Sequence, residues 1–220
     1  MHGHNALFIG NCLNYLNGVT VDNVNWFRII GNSGTLAAVN LAKSGQFDLQ
    51  GTGINPPRAQ FRVMPAAGLI GDVGIAGYWC PFVQGGELPG WVDLPLHNPA
   101  HDFMLTAAMQ GCALVVTGSP VAGHIRVYHH QHPDMASVSA AIHAVGQPVI
   151  SILGYADYGL VGLHGNAPNA FNFLYYRNAH WNYVTQAHTL VNVVGPTGLT
   201  LQVNRRALHG NNGVSITQMQ

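Results

Sequence analysis

The stretch Asn98–His130, NPAHDFMLTAAMQGCALVVTGSPVAGHIRVYHH, decides how the chain is read. Asn98 suits a helix N-cap, Pro99 suits the first helical position, where its missing N–H costs nothing, and Gly111 is the residue type that ends helices in a left-handed conformation. The pattern predicts a helix over Pro99–Gln110. After it, Cys112–Val116 is an apolar, β-prone run, Thr117–Gly123 is rich in turn residues, and His124–His130 resumes with Ile125, Val127 and Tyr128. Two strands joined by a hairpin follow from that punctuation.

A hairpin centred near Gly118 sets Cys112 across from His124. Directly opposed side chains have Cβ atoms about 4.5–5.5 Å apart, diagonal ones about 7–8 Å on the same face, and only an odd slip of register separates a pair. A thiol beside an imidazole can exist as thiolate and imidazolium, the activated nucleophile that attacks a carbonyl or carboxamide carbon. The helix expected before Cys112 presents its negative end there and opposes a thiolate, so the histidine must supply the activation. The competing reading is plain: a Gly-Cys pair before an apolar strand is ordinarily core. His129 and His132 are alternative bases if the register differs.

Thr106 lies six positions before Cys112, Gly111 immediately precedes it, and His124 lies twelve after. This arrangement resembles the active-site segment of the bacterial glutamine deamidase toxins of the Burkholderia lethal factor type and, more distantly, of cytotoxic necrotizing factor. The aromatic-rich stretch Phe171–Leu190 is similar in a looser way, whereas Met109-Gln110 stands where that family has Leu-Ser. Many short strands with few helices imply an α+β fold of two packed mixed sheets flanked by helices and long loops, and the resemblance implies the same. It implies Cys112 as nucleophile, His124 as base and Thr106 as the residue that orients the histidine. The implied partner is a host protein, of the translation helicase or small GTPase class, presenting an exposed glutamine that becomes glutamate. Transglutamination, in which an amine replaces water, is the neighbouring reaction. No cofactor and no metal are called for, a monomer is expected, and the implied place of action is the host cytoplasm after secretion without a cleavable signal peptide.

Composition narrows the function classes independently. The chain has 220 residues, 48% hydrophobic, with 27 Gly and 12 Pro, which predicts a turn-rich globule of short elements in a single domain over 1–220. Charged residues make up 7% with zero formal net charge, leaving no basic footprint for nucleic acid or an anionic membrane. Cys12, Cys80 and Cys112 form no CxxC motif and cannot all pair with one another, so reduced thiols are expected. The N-terminal MHGHNALFIGNCLNYL carries no Lys or Arg before its apolar stretch and no clear cleavage site, hence no signal peptide is read there.

Elsewhere, Val19–Val24 and Trp26–Ile30 read as strands, and a helix follows Gly34 with Leu36, Val39 and Leu41 on its apolar side, stopping at Ser44-Gly45. Gln60–Met64 reads as a strand. The glycines at 68, 71, 74 and 77 beside Ile75, Tyr78, Trp79 and Phe82 fit bent strands. Met135–Val145 reads as a helix with Asp134 as N-cap and Gly146 as stop. Val149–Leu163, Phe171–Tyr176, Tyr183–Val194 and Leu199–Val203 read as strands, Asn178–Asn182 as a loop, and VSIT in the tail as a possible edge strand. His129, His130 and His132 beside Asp134 form a cluster in which 130 and 132 share a strand face, a geometry open to zinc or copper, although 13 histidines in one chain cluster by chance. A second function class is therefore a binding module for sugar or metal using that cluster with Trp79, Trp91 and Trp181. A cysteine protease ranks lower, the Cys-to-His spacing being unlike that of papain.

Overall fold

In the computed structural model, the residues described are 3–23, 33–53, 57–64, 73–83, 88–158, 168–195, 198–205 and 214–219. The chain opens with two short helices, α1 (Gly3–Gly10) and α2 (Cys12–Gly18). Asn11 caps the second, its side-chain oxygen accepting the Asn14 N–H at 3.0 Å. Strand β1 (Thr20–Asp22), helix α3 (Ser33–Ala42) and strands β2 (Ser44–Gly51), β3 (Arg58–Met64), β4 (Ile75–Cys80), β5 (Gly90–Pro95) and β6 (Phe103–Thr106) follow. The hairpin β7 (Ala113–Gly118) and β8 (His124–His130) leads to α4 (Ala136–Ala144), β9 (Val149–Leu153) and the single turn α5 (Tyr155–Tyr158). Strands β10 (Pro168–Arg177), β11 (His180–Gly195), β12 (Gly198–Arg205) and β13 (Val214–Gln218) complete the order.

The strands form two sheets. The larger runs β1-β3-β2-β4-β6-β10-β11-β12, with β13 also on β11; β1 and β3 are parallel, as are β4 and β6, and the other pairs are antiparallel. The smaller is antiparallel throughout, in the order β5-β8-β7-β9. Strand alternation distributes side chains between two main cores. Phe47, Phe61, Trp79, Phe103, Leu105, Phe171 and Phe173 leave one face of the large sheet and meet Phe8, Tyr15 and Leu16 of the N-terminal helices. Cys80, Met104, Ala170, Leu174 and Tyr183 leave the other and meet Val92, Leu94, Leu114, Val116, Ile125 and Val127 of the small sheet. A third cluster, Ala113, Val115, Tyr128 and Ile142 with Trp91 against it, lies between the small sheet and α4. The α+β sandwich expected from the sequence is thus the fold.

Several local expectations are corrected. Pro99–Gln110 is not a helix: Asn98 has φ +47°, and Phe103–Thr106 is a strand with all four residues buried. A continuous apolar run suits a two-sided strand as well as a helix, and here pairing with β4 and β10 gives both its faces a core. Gly111 does adopt positive φ, +80°, but closes a turn. On α3, Val39 is buried and Leu36 packs against the core, whereas Leu41 is 86% exposed. The strand expected over Val149–Leu163 stops at Leu153. The expected strand Trp26–Ile30 lies outside the described residues. Trp79 is core.

One close approach fixes how β5 leaves the end of β4. A Cβ built on Gly90 would collide with the backbone carbonyl oxygen of Pro81, which cannot swing aside as a side chain can. Gly90→Ala should therefore destabilise the fold by about 1–3 kcal/mol, the usual cost of overpacking. Urea denaturation against the unaltered chain measures the loss.

Candidate functional site

The hairpin forms between the expected residues but in another register. Ala113 faces His130 and Gly118 faces Ile125, so the turn is centred near Val121 and the position opposite Cys112 is Gln131. His124 pairs instead with Pro95 of β5, about 24 Å along the strand from that position at ~3.4 Å per residue. The slip is odd. His124 consequently shares the outer face of the small sheet with Arg126 and Tyr128, its Nδ1 2.9 Å from the Ala122 carbonyl, while Cys112 points inward with Leu114 and Val116. The predicted partnership of Cys112 with His124 is not what the fold builds, because both strands run further toward the turn than a centre at Gly118 allows.

His129 is brought to the inner face instead. It stands opposite Leu114, two residues from Cys112 and on the same face, which makes Cys112 and His129 diagonal neighbours. Its Nδ1 lies 2.6 Å from the Thr106 hydroxyl on β6, across the space between the sheets. That hydroxyl donates its single proton to the Cys80 carbonyl at 2.7 Å. Thr106 therefore accepts from His129, Nδ1 carries the hydrogen, and Nε2 holds a bare lone pair. Nε2 is buried and has no hydrogen-bond partner. Thr106 thus holds His129, not His124 as expected.

The surroundings oppose charge. Burial pushes the His129 pKa down to about 3, with His130 adding to the effect. Burial likewise raises the Cys112 thiol, opposed by a backbone hydrogen bond at Gln110, and leaves the residue only 5% exposed. The Tyr158 hydroxyl donates to the Cys112 carbonyl at 2.5 Å and pins the backbone. Cys80, the other thiol beside this cluster, is pushed up to about 12 by burial, against the pull of Lys43 and of a backbone hydrogen bond at His129. The Phe82 ring closes over His129 at 5.2 Å between centroids. Thiol and imidazole are thus both neutral at rest, in a pocket of apolar side chains.

The histidine cluster separates across the sheet. His130 faces outward, its Nε2 3.2 Å from the Ser139 hydroxyl of α4 and its Nδ1 accepting the His132 N–H at 3.3 Å. Among the described residues no three His, Cys, Asp or Glu side chains are placed to hold a metal. Of the tryptophans, Trp91 carries the Arg126 guanidinium 3.7 Å from its ring centroid, and Arg126 is itself doubly hydrogen-bonded to Asp93. Trp181 donates to the Pro95 carbonyl. Both are built into structure.

A second polar network went unread in the sequence. Gln186 donates to the Leu16 and Val19 carbonyls and accepts from the Val21 N–H at 2.8 Å, and His188 lies 2.8 Å from the same amide oxygen. It ties the N-terminal segment to the middle of β11. The only trace in the chain is the Gln186-x-His188 alternation within an apolar strand.

Residues 72–212 match the family model of the Mcf1 activator-binding domain, which is more than half of the chain. The chain belongs to that family. The matched span holds the small sheet, α4 and the Thr106–His129 cluster, whereas α1, α2, β1 to β3 and β13 lie outside it. No curated protein matches the chain.

The buried imidazole has a measurable signature. An unfolded histidine titrates near 6.5 and the folded His129 near 3, so between those values the unfolded state binds a proton that the folded state refuses. Stability is full above pH 6.5 and declines as pH falls through that window. The urea midpoint should drop between pH 7.5 and pH 5, and His129→Gln should flatten that slope whatever its effect on the midpoint at pH 7.5.

Proposed function

We propose that this domain is a protein-binding module that holds a protein activator, as the name of its family says of the namesake domain. The observation that carries the reading is the family match over 72–212, a span that includes both faces of the small sheet. The character of the inter-sheet cluster supports it: the sulfur and the imidazole are enclosed and neutral, and the hydrogen bond between Thr106 and His129 joins two sheets. Incubating the full chain with eukaryotic cell extract, crosslinking, and rebuilding the complex from purified proteins should give a saturable one-to-one assembly. Its affinity should be unchanged by Cys112→Ala. Failure of every purified candidate to bind saturably ends this reading.

A second reading is a cysteine-dependent glutamine deamidase, favoured by one observation, the unpartnered Nε2 of a histidine whose other nitrogen is held by Thr106. In that reaction Cys112 Sγ bonds to the carboxamide carbon while His129 Nε2 takes the thiol proton and hands it to departing ammonia; water then cleaves the thioester and leaves glutamate. His129 takes the place that the resemblance gives to His124. The Cys112 sulfur and Phe82 would both have to move before a host-protein glutamine reached the site. Intact-mass spectrometry of exposed proteins should then show a gain of about 1 Da per site, abolished by Cys112→Ser and His129→Gln and retained by His124→Gln. Incorporation of an added primary amine would mark transglutamination. Iodoacetamide modifying Cys112 no faster than an ordinary thiol, with no mass change in any protein, removes the enzyme.

A further inference from the structure

We propose that the partner is held at the free edge of β9, by addition of an extended, uncharged segment of that protein as a fifth strand of the small sheet; this rests on the binding reading above. β9 ends the order β5-β8-β7-β9, and among the described residues it pairs with β7 alone. Its sequence is Val-Ile-Ser-Ile-Leu, with Val149 36%, Ile150 43% and Ile152 56% exposed. Edge strands are normally guarded by lysine, proline or an inward charge, because a row of open N–H and C=O groups templates another strand. Within Val149–Leu153 β9 has none of these guards; Pro148 stands just before it, its carbonyl accepting the Gly118 N–H at 3.0 Å, and the strand's one irregularity is a shift of register opposite Val116 and Thr117.

Three other sheet margins differ. β5 carries Asp93 bound to Arg126 and ends in Pro95, and β1 is three residues long. β13 exposes one large aliphatic side chain, Ile216. Beside β9, in contrast, lies a cavity of about 170 Å³ lined by Leu96, Val116, Ile125, Ile150, Trp181 and Met219, with His97 and His180 as the titratable groups among the described residues that line it. Among the described residues no carboxylate, lysine or arginine lines it, so a charged residue entering there would lose its hydration without gaining a partner from them. A neutral segment that alternates aliphatic and small polar residues satisfies both features: its main chain continues the ladder and one apolar side chain fills the cavity.

The test uses the full chain and a random dodecapeptide library. Selected peptides should be poor in charge and alternate in aliphatic residues. They should slow amide exchange across 149–153 and weaken by about tenfold or more against Ile152→Lys, an exposed position where the fold tolerates the change. Val121→Lys, on the exposed hairpin turn, should bind as the unaltered chain does. Peptides that bind Ile152→Lys undiminished, protection that maps elsewhere, or no selected peptide at all overturns the proposal. So does a dimer of the unaltered chain that Ile152→Lys returns to monomer, since a second copy then occupies the edge. A protein partner that binds Ile152→Lys normally sinks the edge and leaves the binding reading standing. Peptides held at β9 with no protein partner found do the reverse.

Discussion

The middle of the large sheet is buried on both faces, and the rest of the molecule follows from that constraint. β6 shows it in four residues: Phe103 and Leu105 belong to the aromatic core under the N-terminal helices, Met104 to the core shared with the small sheet, and Thr106 to the polar point between them. A strand so placed cannot expose its polar atoms to water, so each must find a partner inside the protein. Thr106 finds two, a carbonyl in its own sheet and an imidazole in the other. The bond to His129 is one of the polar contacts that fix how the sheets face each other, with the Trp181 bond to the Pro95 carbonyl another. Buried polar links of this kind contribute more to uniqueness of structure than to its stability.

That view changes what a cysteine, a histidine and a threonine in one neighbourhood signify. Proximity of the three suggests chemistry, but the same grouping is what a sandwich uses to join its halves when its strands carry few charges. With 7% charged residues in the whole chain, polar cohesion has to come from neutral hydroxyls, imidazoles and amides. Gln186, His188 and Asn169 repeat the device on the other face of the same sheet. The lone pair left on His129 is the one part of the cluster that structural duty does not account for.

The fold class was legible because short apolar runs separated by glycine, proline and asparagine favour packed sheets, and the helix Ala136–Ala144 and the strand after Phe171 were legible for the same local reasons, whereas β11 begins at His180, inside the loop expected over Asn178–Asn182. The reading failed where local rules compete with pairing. Asn98-Pro99 looks like a helix start, yet Asn98 turns through a positive φ and releases the chain into β6. Strand β5 hid behind Gly90-Trp91, a pair that resembles a turn. The hairpin itself was found, but its register was set by Gly118 remaining in the ladder and the turn falling later, and a shift by an odd number of residues exchanged His124 for His129. Which histidine comes to lie near Thr106 and Cys112 could not be read from the sequence, because that depends on a turn whose residues permit several centres.

The seam through Gln186 has a bearing on biosynthesis. The Val21 amide finds its acceptor 165 positions downstream. While the ribosome is still making the middle of the chain, the first helices and β1 have emerged with their polar atoms and the aromatic side of Phe8 and Tyr15 bare. α1, α2 and β1 must therefore wait until a strand 165 positions further on has been made before they can settle, which exposes this stretch of the nascent chain to aggregation and to chaperone capture in the interval.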